Sequence, residues 1–255
     1  MSFKDFSTGV KAYSKGLKLI AELKLWKYFF IPALIGLLVG GVILTGAYLG
    51  SDNIGNWLSG FWPWDFGKST VEYVSQFLGG LLIVAVGLIL YKHIIMALSA
   101  PFMAPISEKI EVHLTGKPLD ETDTFPEYMR SLARGVKLNI RNLIVELLLT
   151  LLLMIIGIIP GVGIITTILI FYVQSYYAGY GNMDYTLERH LDYNLTKKFV
   201  RKNRGLAVGN GFVFNTMLFI PLVGIMITLP ISTAAATVET VTRIEENKKK
   251  QLSKK

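Results

Sequence analysis

Ile159-Pro160-Gly161-Val162-Gly163-Ile164 and Ile220-Pro221-Leu222-Val223-Gly224-Ile225 each sit in the middle of a long apolar run. Thr167 and Thr228 follow at the same offset, so the pattern I-P-x-V-G-I-x-x-T recurs with a shift of 61 residues, the distance from Ile159 to Ile220. Proline followed by glycine stops a helix and turns the chain. A turn in water brings polar residues with it, and these two bring none. Each repeat therefore reads as the bend of a helical hairpin, the first over 142–182 and the second over 206–241.

Working outward, the composition is that of a membrane protein. The chain of 255 residues is 52% hydrophobic and 17% charged, with a mean hydropathy of +0.47. Its charges come in blocks separated by long uncharged runs, which read as transmembrane helices. There is no cysteine, which removes disulfides, thiolate metal sites and thiol catalysis. The three histidines, His93, His113 and His190, have no metal-ligand spacing. The sequence carries no G-x-S-x-G, H-E-x-x-H, Walker A or nucleotide fingerprint. It is read as a non-enzyme with no cofactor and no metal, and any transport is independent of ATP.

Phe3, Phe6, Val10, Tyr13, Leu17 and Ile20 recur at helical spacing with lysines off the stripe, so 1–27 reads as a basic amphipathic helix on the membrane surface or packed on another element. Tyr28 to Leu49 holds 22 residues without a charge. At 1.5 Å per residue it spans about 33 Å, enough for a bilayer core, and 28–50 is a transmembrane helix. Gly36-x3-Gly40 and Gly46-x3-Gly50 on it allow close helix contact. An aromatic loop follows (Trp57, Phe61, Trp62, Trp64, Phe66), suited to the headgroup level. The second transmembrane helix is 73–100, after which Pro101 and Pro105 break the line. Over 101–141 amphipathic cytoplasmic helices carry Glu108 and Glu111 on one face, then Arg130, Arg134, Lys137 and Arg141 at helical spacing. That basic stripe suits anionic headgroups or an anionic solute. A basic segment occupies 184–205, and a disordered basic tail 242–255.

Six Lys and Arg lie in 1–27, seven in 92–141, six in 184–205 and six in 243–255, leaving only Lys68 outside. By the positive-inside rule all four blocks and both termini face the cytoplasm. The two long helices then cross and return, and each hairpin enters and leaves by one face. The second hairpin's arms of about 15 residues reach about 22 Å, short of a hydrocarbon core of about 30 Å. The bends, with Pro160, Gly161, Gly163, Pro221 and Gly224, either line a path inside the membrane or cap a packed bundle. Each bend opens a new helix whose N-terminus suits an anion, with Thr166, Thr167 and Thr228 placed to donate hydrogen bonds.

The residues resemble the CysZ-type sulfate permeases and the wider etoposide-induced membrane-protein family. The resemblance rests on Phe30-Ile31-Pro32, Ala100-Pro101-Phe102 followed by Glu108, Glu111 and Leu114-Thr115-Gly116, and Ile159-Pro160-Gly161-Val162-Gly163. Met183-Asp184-Tyr185 with His190, Ile220-Pro221 and Ser232-Thr233-Ala234-Ala235-Ala236 complete it. It implies an all-α bacterial inner-membrane protein with two long transmembrane helices and two partly penetrating hairpins. It implies sulfate as substrate and a homo-oligomer, while the apolar runs and basic blocks themselves point to membrane lipid as partner and not to nucleic acid. Such proteins carry a Gly-hydrophobic-Arg-Arg stretch before the first helix, associated with sulfate binding. Here Lys24-Leu25-Trp26-Lys27 stands in its place, and Lys24, Trp26 and Lys27 are the implied substrate contacts. Lysine attracts an anion but lacks arginine's bidentate fork. The departure leaves a second reading beside the permease: a membrane scaffold that binds partners through its basic cytoplasmic face.

Overall fold

The computed structural model describes residues 2–60, 66–118, 125–157, 159, 161–220 and 223–253. Among them the chain is all helical, with no strand. In order come α1 (Phe3–Glu22), a 3-10 segment (Leu25–Phe29), α2 (Phe30–Ser59), α3 (Lys68–Leu98) and α4 (Ala100–Thr115). Then follow α5 (Phe125–Gly157), α6 (Gly163–Leu187), α7 (Tyr193–Lys202), α8 (Arg204–Leu218) and α9 (Val223–Leu252). Pro160, Pro221 and Leu222 of the two bends lie outside the described residues, as do Phe61, Trp62 and Trp64 of the aromatic loop.

Among the described residues two stretches, Leu25–Trp57 and Met129–Gly157, are long and apolar enough to cross a membrane, and little of either is buried within the protein. Leu38, Val42, Leu148 and Ile155 are exposed along them. Apolar faces of that extent are stable when lipid covers them.

The chain divides into two compact units, one of Leu34–Ile95 and one of Met1–Ala33 with Met96–Lys255. The first is the pair α2 and α3. Gly55 meets Gln76, Gly79 meets Ser51, Gly87 meets Ile43, and the Tyr91 hydroxyl donates to the Gly36 carbonyl at 3.1 Å. Partner numbers fall as the first helix rises, so the two run antiparallel. α2 extends through Ser59, so the first half of the predicted loop is helical. Of the two GxxxG pairs, Gly50 packs on Ile83, whereas Gly46 faces open space.

In the larger unit α6 and α8 are in backbone contact. A Cβ at Gly179 would overlap the Ala207 carbonyl, and one at Gly211 the Ser175 carbonyl. α1 packs on α8 and α9 through Gly9, against Leu206 and Asn210, and Gly16, against Ala235. The face that packs is Gly9, Ala12, Tyr13, Gly16, Leu19 and Ile20. The apolar stripe read from spacing is rotated from it, and its Phe3 and Leu17 are exposed. Small residues win here because close backbone approach recovers more dispersion contact than a larger side chain held at a distance.

Three boundaries read from the sequence are corrected. The predicted break at Pro101 and Pro105 falls instead at Ser99, and both prolines lie in α4. Pro101 stands in the first turn, where a missing N–H costs nothing. The cytoplasmic basic helix and the first arm of the first hairpin are one helix of 33 residues, α5. At about 50 Å it exceeds the bilayer core. The tail predicted as disordered is helical to Leu252, held by an Arg243–Asp5 ion pair and by Glu245 with Lys248 at 2.9 Å.

Candidate functional site: a polar interior beneath α9

Within the larger unit, α9 turns a row of hydroxyls inward. Thr228, Ser232, Thr233, Thr237 and Thr240 are all fully buried, on a stretch of the helix, 228–241, that is buried all round. Ser232 and Thr237 donate back to the carbonyls of Leu229 and Thr233. Among the described residues the hydroxyls of Thr228, Thr233 and Thr240 have no hydrogen-bond partner. A buried polar group left unpaired costs about 1–3 kcal/mol, so three on one helix form an unusual concentration. Neighbouring helices add amides and a phenol. Asn182 on α6 donates to Asn210 on α8 at 2.8 Å, Asn210 donates to the Ser232 carbonyl at 3.0 Å, and Tyr13 donates to the Asn210 carbonyl at 2.7 Å.

This interior is joined to an ionic cluster by a chain of hydrogen bonds. Thr237 meets Thr186 at 3.0 Å, and Thr186 meets Ser107 at 2.7 Å. Arg189, just past α6, donates to Ser107 at 2.7 Å and to one oxygen of Glu111 at 2.9 Å. His190 Nε2 lies 2.6 Å from the other oxygen. Burial works against the charge on Glu111, but hydrogen bonds from His190 and Arg189 outweigh it and hold the carboxyl below its ordinary value. A second pair lies nearby: Arg134 of α5 forks onto Asp184 at 2.7 and 3.2 Å and also donates to Thr196. Ser131 donates to Glu188 at 2.8 Å. Burial, with the Asp184 charge beside it, pushes the Glu188 carboxyl up to about 7. Among the described residues no group of side chains could hold a metal ion.

The residues singled out in the sequence divide into those that join this interior and those that do not. Thr228 lines it, and Glu111 anchors its ionic end. Glu108, on the same helix, has an interaction of its own. The Thr166 and Thr167 hydroxyls each donate to the Gly163 carbonyl of their own helix, at 3.0 and 2.8 Å. Gly161 takes a φ of +85°, which favours glycine. Gly163 opens α6, and Gly224 approaches the Met217 carbonyl closely. Of the basic stripe, Arg134 is committed to Asp184.

Lys24, Trp26 and Lys27 stand apart from the hydroxyl row. They are exposed on the 3-10 segment, which packs on α4 and α9. Lys27 lies 5.2 Å over the Tyr28 ring. Lys24 has φ +52° and ψ 43°, and no other described residue except glycine has a positive φ. Lys24 thus holds a left-handed backbone, a conformation that favours glycine. Asn182 and Asn210 were missed in the sequence, and Tyr13 was read only as part of the α1 stripe. Asn210 stands in an uncharged, largely apolar stretch of α8, a signal that could have found it, whereas Asn182 and Tyr13 sit in helices with several other polar residues.

Residues 12–228 match the family described as sulfate transporter CysZ/etoposide-induced protein 2.4. The chain is similar to a protein named sulfate transporter CysZ from Pseudomonas aeruginosa strain LESB58, 27% identical over 90% of this chain and 93% of the relative. A protein of the same name from Vibrio parahaemolyticus is 25% identical over 90% and 92%, and one from Pectobacterium atrosepticum 22% over 90% and 83%. The apolar helices, the interior beneath α9 and a family match over most of its length make this chain a membrane protein that belongs to the sulfate transporter CysZ/etoposide-induced protein 2.4 family.

Proposed function

We propose that this protein carries sulfate across the bacterial inner membrane without ATP, through the polar interior beneath α9. The observation that carries the reading is the row of fully buried hydroxyls of which Thr228, Thr233 and Thr240 lack partners. A sulfate dianion leaving water needs donors to replace its hydration, and hydroxyls supply them without fixing a positive charge that would hold the ion too tightly to release. The names of the relatives support sulfate as the cargo.

In this reading Lys24 and Lys27 gather anions at the cytoplasmic mouth as point charges. The α5–α6 and α8–α9 hairpins enter from the cytoplasmic face, with all four basic blocks and both termini on that side. α8, at 15 residues, spans about 22 Å and reaches part of the way across. The exposed apolar faces leave room for further copies of the chain, and a homo-oligomer suits a hairpin too short to cross alone. Purified protein in liposomes is expected to take up labelled sulfate down its gradient faster than empty vesicles. Flux equal to that of empty vesicles overturns the reading.

A further inference from the structure

Away from the interior beneath α9, an open pocket of about 430 Å³ lies where α5, α6 and α7 meet. Arg141, Tyr180, Asn194, Lys197, Lys198 and Arg201 line it, and no carboxylate does. The other buried cations nearby are committed, Arg134 to Asp184 and Arg189 to Glu111. The four in this pocket make no ion pair within 4.0 Å among the described residues: Arg141 donates to the Asn142 side chain at 3.1 Å, Lys197 lies 5.7 Å over the Tyr193 ring, and Lys198 and Arg201 are exposed. Like charges gathered without a counter-charge repel, and the arrangement is relieved by an anion.

Two further observations point to a ligand. Tyr180 is 1% exposed, and its hydroxyl has no hydrogen-bond partner among the described residues. The Arg141 guanidinium lies over its ring at 5.7 Å and spends one N–H on the Asn142 side chain at 3.1 Å, which holds the plane of the group and leaves its other donors for an acceptor. On α7 the buried residues are Thr196 and Val200, so that the helix seats on the protein and holds Lys197, Lys198 and Arg201 at the pocket.

Depth along the chain indicates the source of the anion. Arg141 is the last basic residue of α5. Beyond it Ile144, Leu148, Leu151 and Ile155 form an exposed apolar face that lipid covers. A cationic pocket at the start of such a face stands at headgroup level. Its volume lies within the range of about 300–1,000 Å³ usual for a molecular ligand, and it has room for more than one inorganic ion. We propose that this pocket binds a tetrahedral oxyanion, supplied in the membrane by the phosphodiester of an anionic phospholipid.

The test uses the full chain purified in detergent, with no gradient or flux, so its failure is distinct from failure of the transport reading. Native mass spectrometry with phosphatidylglycerol or phosphatidylcholine added is expected to show preferential retention of phosphatidylglycerol. Lys198→Gln and Arg201→Gln should each lower that retention about fivefold, and Tyr180→Phe should weaken it while leaving the circular dichroism melt unchanged. A second arm follows thermal stabilisation by inorganic phosphate or sulfate in lipid-free micelles. Stabilisation that the same variants abolish, without lipid preference, assigns the pocket to a free oxyanion. Lipid retention and ion stabilisation unaltered by all three variants overturn the proposal.

Discussion

Arg189 and Glu111 lie 78 residues apart in the chain and 2.9 Å apart in space. The contact ties the end of α6 to α4 and, through Ser107 and Thr186, to the hydroxyl row of α9. Both side chains are largely out of water. Removing one partner of a buried pair leaves the other uncompensated, at a cost of about 3–5 kcal/mol. Arg189→Ala should therefore lower the thermal midpoint in detergent sharply. Glu111→Gln keeps the shape and one acceptor and should cost less. Arg189→Ala melting like the wild type would remove the pair from the structural core.

Thr228, Thr233 and Thr240 separate packing from transport. Valine keeps the β-branched shape and removes a hydroxyl that has no partner, so Thr228→Val and Thr233→Val should leave stability unchanged or slightly raised. If these hydroxyls receive sulfate, each loss of a hydrogen bond to a charged ligand, worth about 1.5 kcal/mol, lowers flux about tenfold. Thr166→Val is the control, since that hydroxyl is spent on its own helix. Equal flux in all three variants would show that the row packs and does not conduct.

Glu188 makes stability depend on pH. Its folded value of about 7 stands above the ordinary 4.5. Between those values the folded state holds a proton that the unfolded state has released. Stability is therefore fully present at low pH and falls as pH rises toward 7, by about 1 kcal/mol per pH unit, levelling off above it. Glu188→Gln should flatten that part of the profile in thermal melts from pH 5 to 8. A slope unchanged in the variant would assign the titration to another group.

Gly179 and Gly211 hold α6 and α8 at backbone contact, and Gly46 serves as their counter-example. Alanine at either of the first two would collide with a carbonyl, so Gly179→Ala and Gly211→Ala should each destabilise by about 2 kcal/mol or more. Gly46 has open space where its Cβ would lie, and Gly46→Ala should gain up to about 1 kcal/mol from helix propensity. Melting curves of the three variants check the order.

How much of this was legible in the sequence depends on the range of the interaction that decides each feature. The uncharged run Tyr28–Leu49 falls within α2 from Phe30 onward, because length and hydropathy are local and sufficient. Glu111 could be placed near basic helices, but its partners are set by tertiary packing across 78 and 79 residues. The face of α1 was legible in part: Tyr13 and Ile20 of the hydrophobic stripe pack inward while Phe3 and Leu17 are exposed, and the close contacts are made by Gly9 and Gly16, which carry no hydropathy signal. The tail was misread. Its lysines look solvated in isolation, and Arg243 has its acidic partner at Asp5, 238 residues away. Thr166 and Thr167 were placed correctly beyond the bend, but a threonine within a helix has its own carbonyls at hand.

Lys24 joins a backbone requirement to a charge, and the two can be parted. Its left-handed φ of +52° costs a side chain with a Cβ about 1 kcal/mol, and a β-branched one more. Lys24→Gly removes that strain while restoring flexibility to the unfolded chain, so stability should stay level or rise by less than about 1 kcal/mol. Lys24→Val should lower it by about 1–2 kcal/mol. Both variants lose the same charge. If Lys24 gathers sulfate as a point charge at the mouth, both should reduce flux at low ionic strength by a similar factor. That deficit should close as salt shortens the Debye length to about 3 Å near 1 M. A flux deficit in Lys24→Val alone would mean that the position acts through its backbone, and a deficit independent of salt would mean direct contact with the anion.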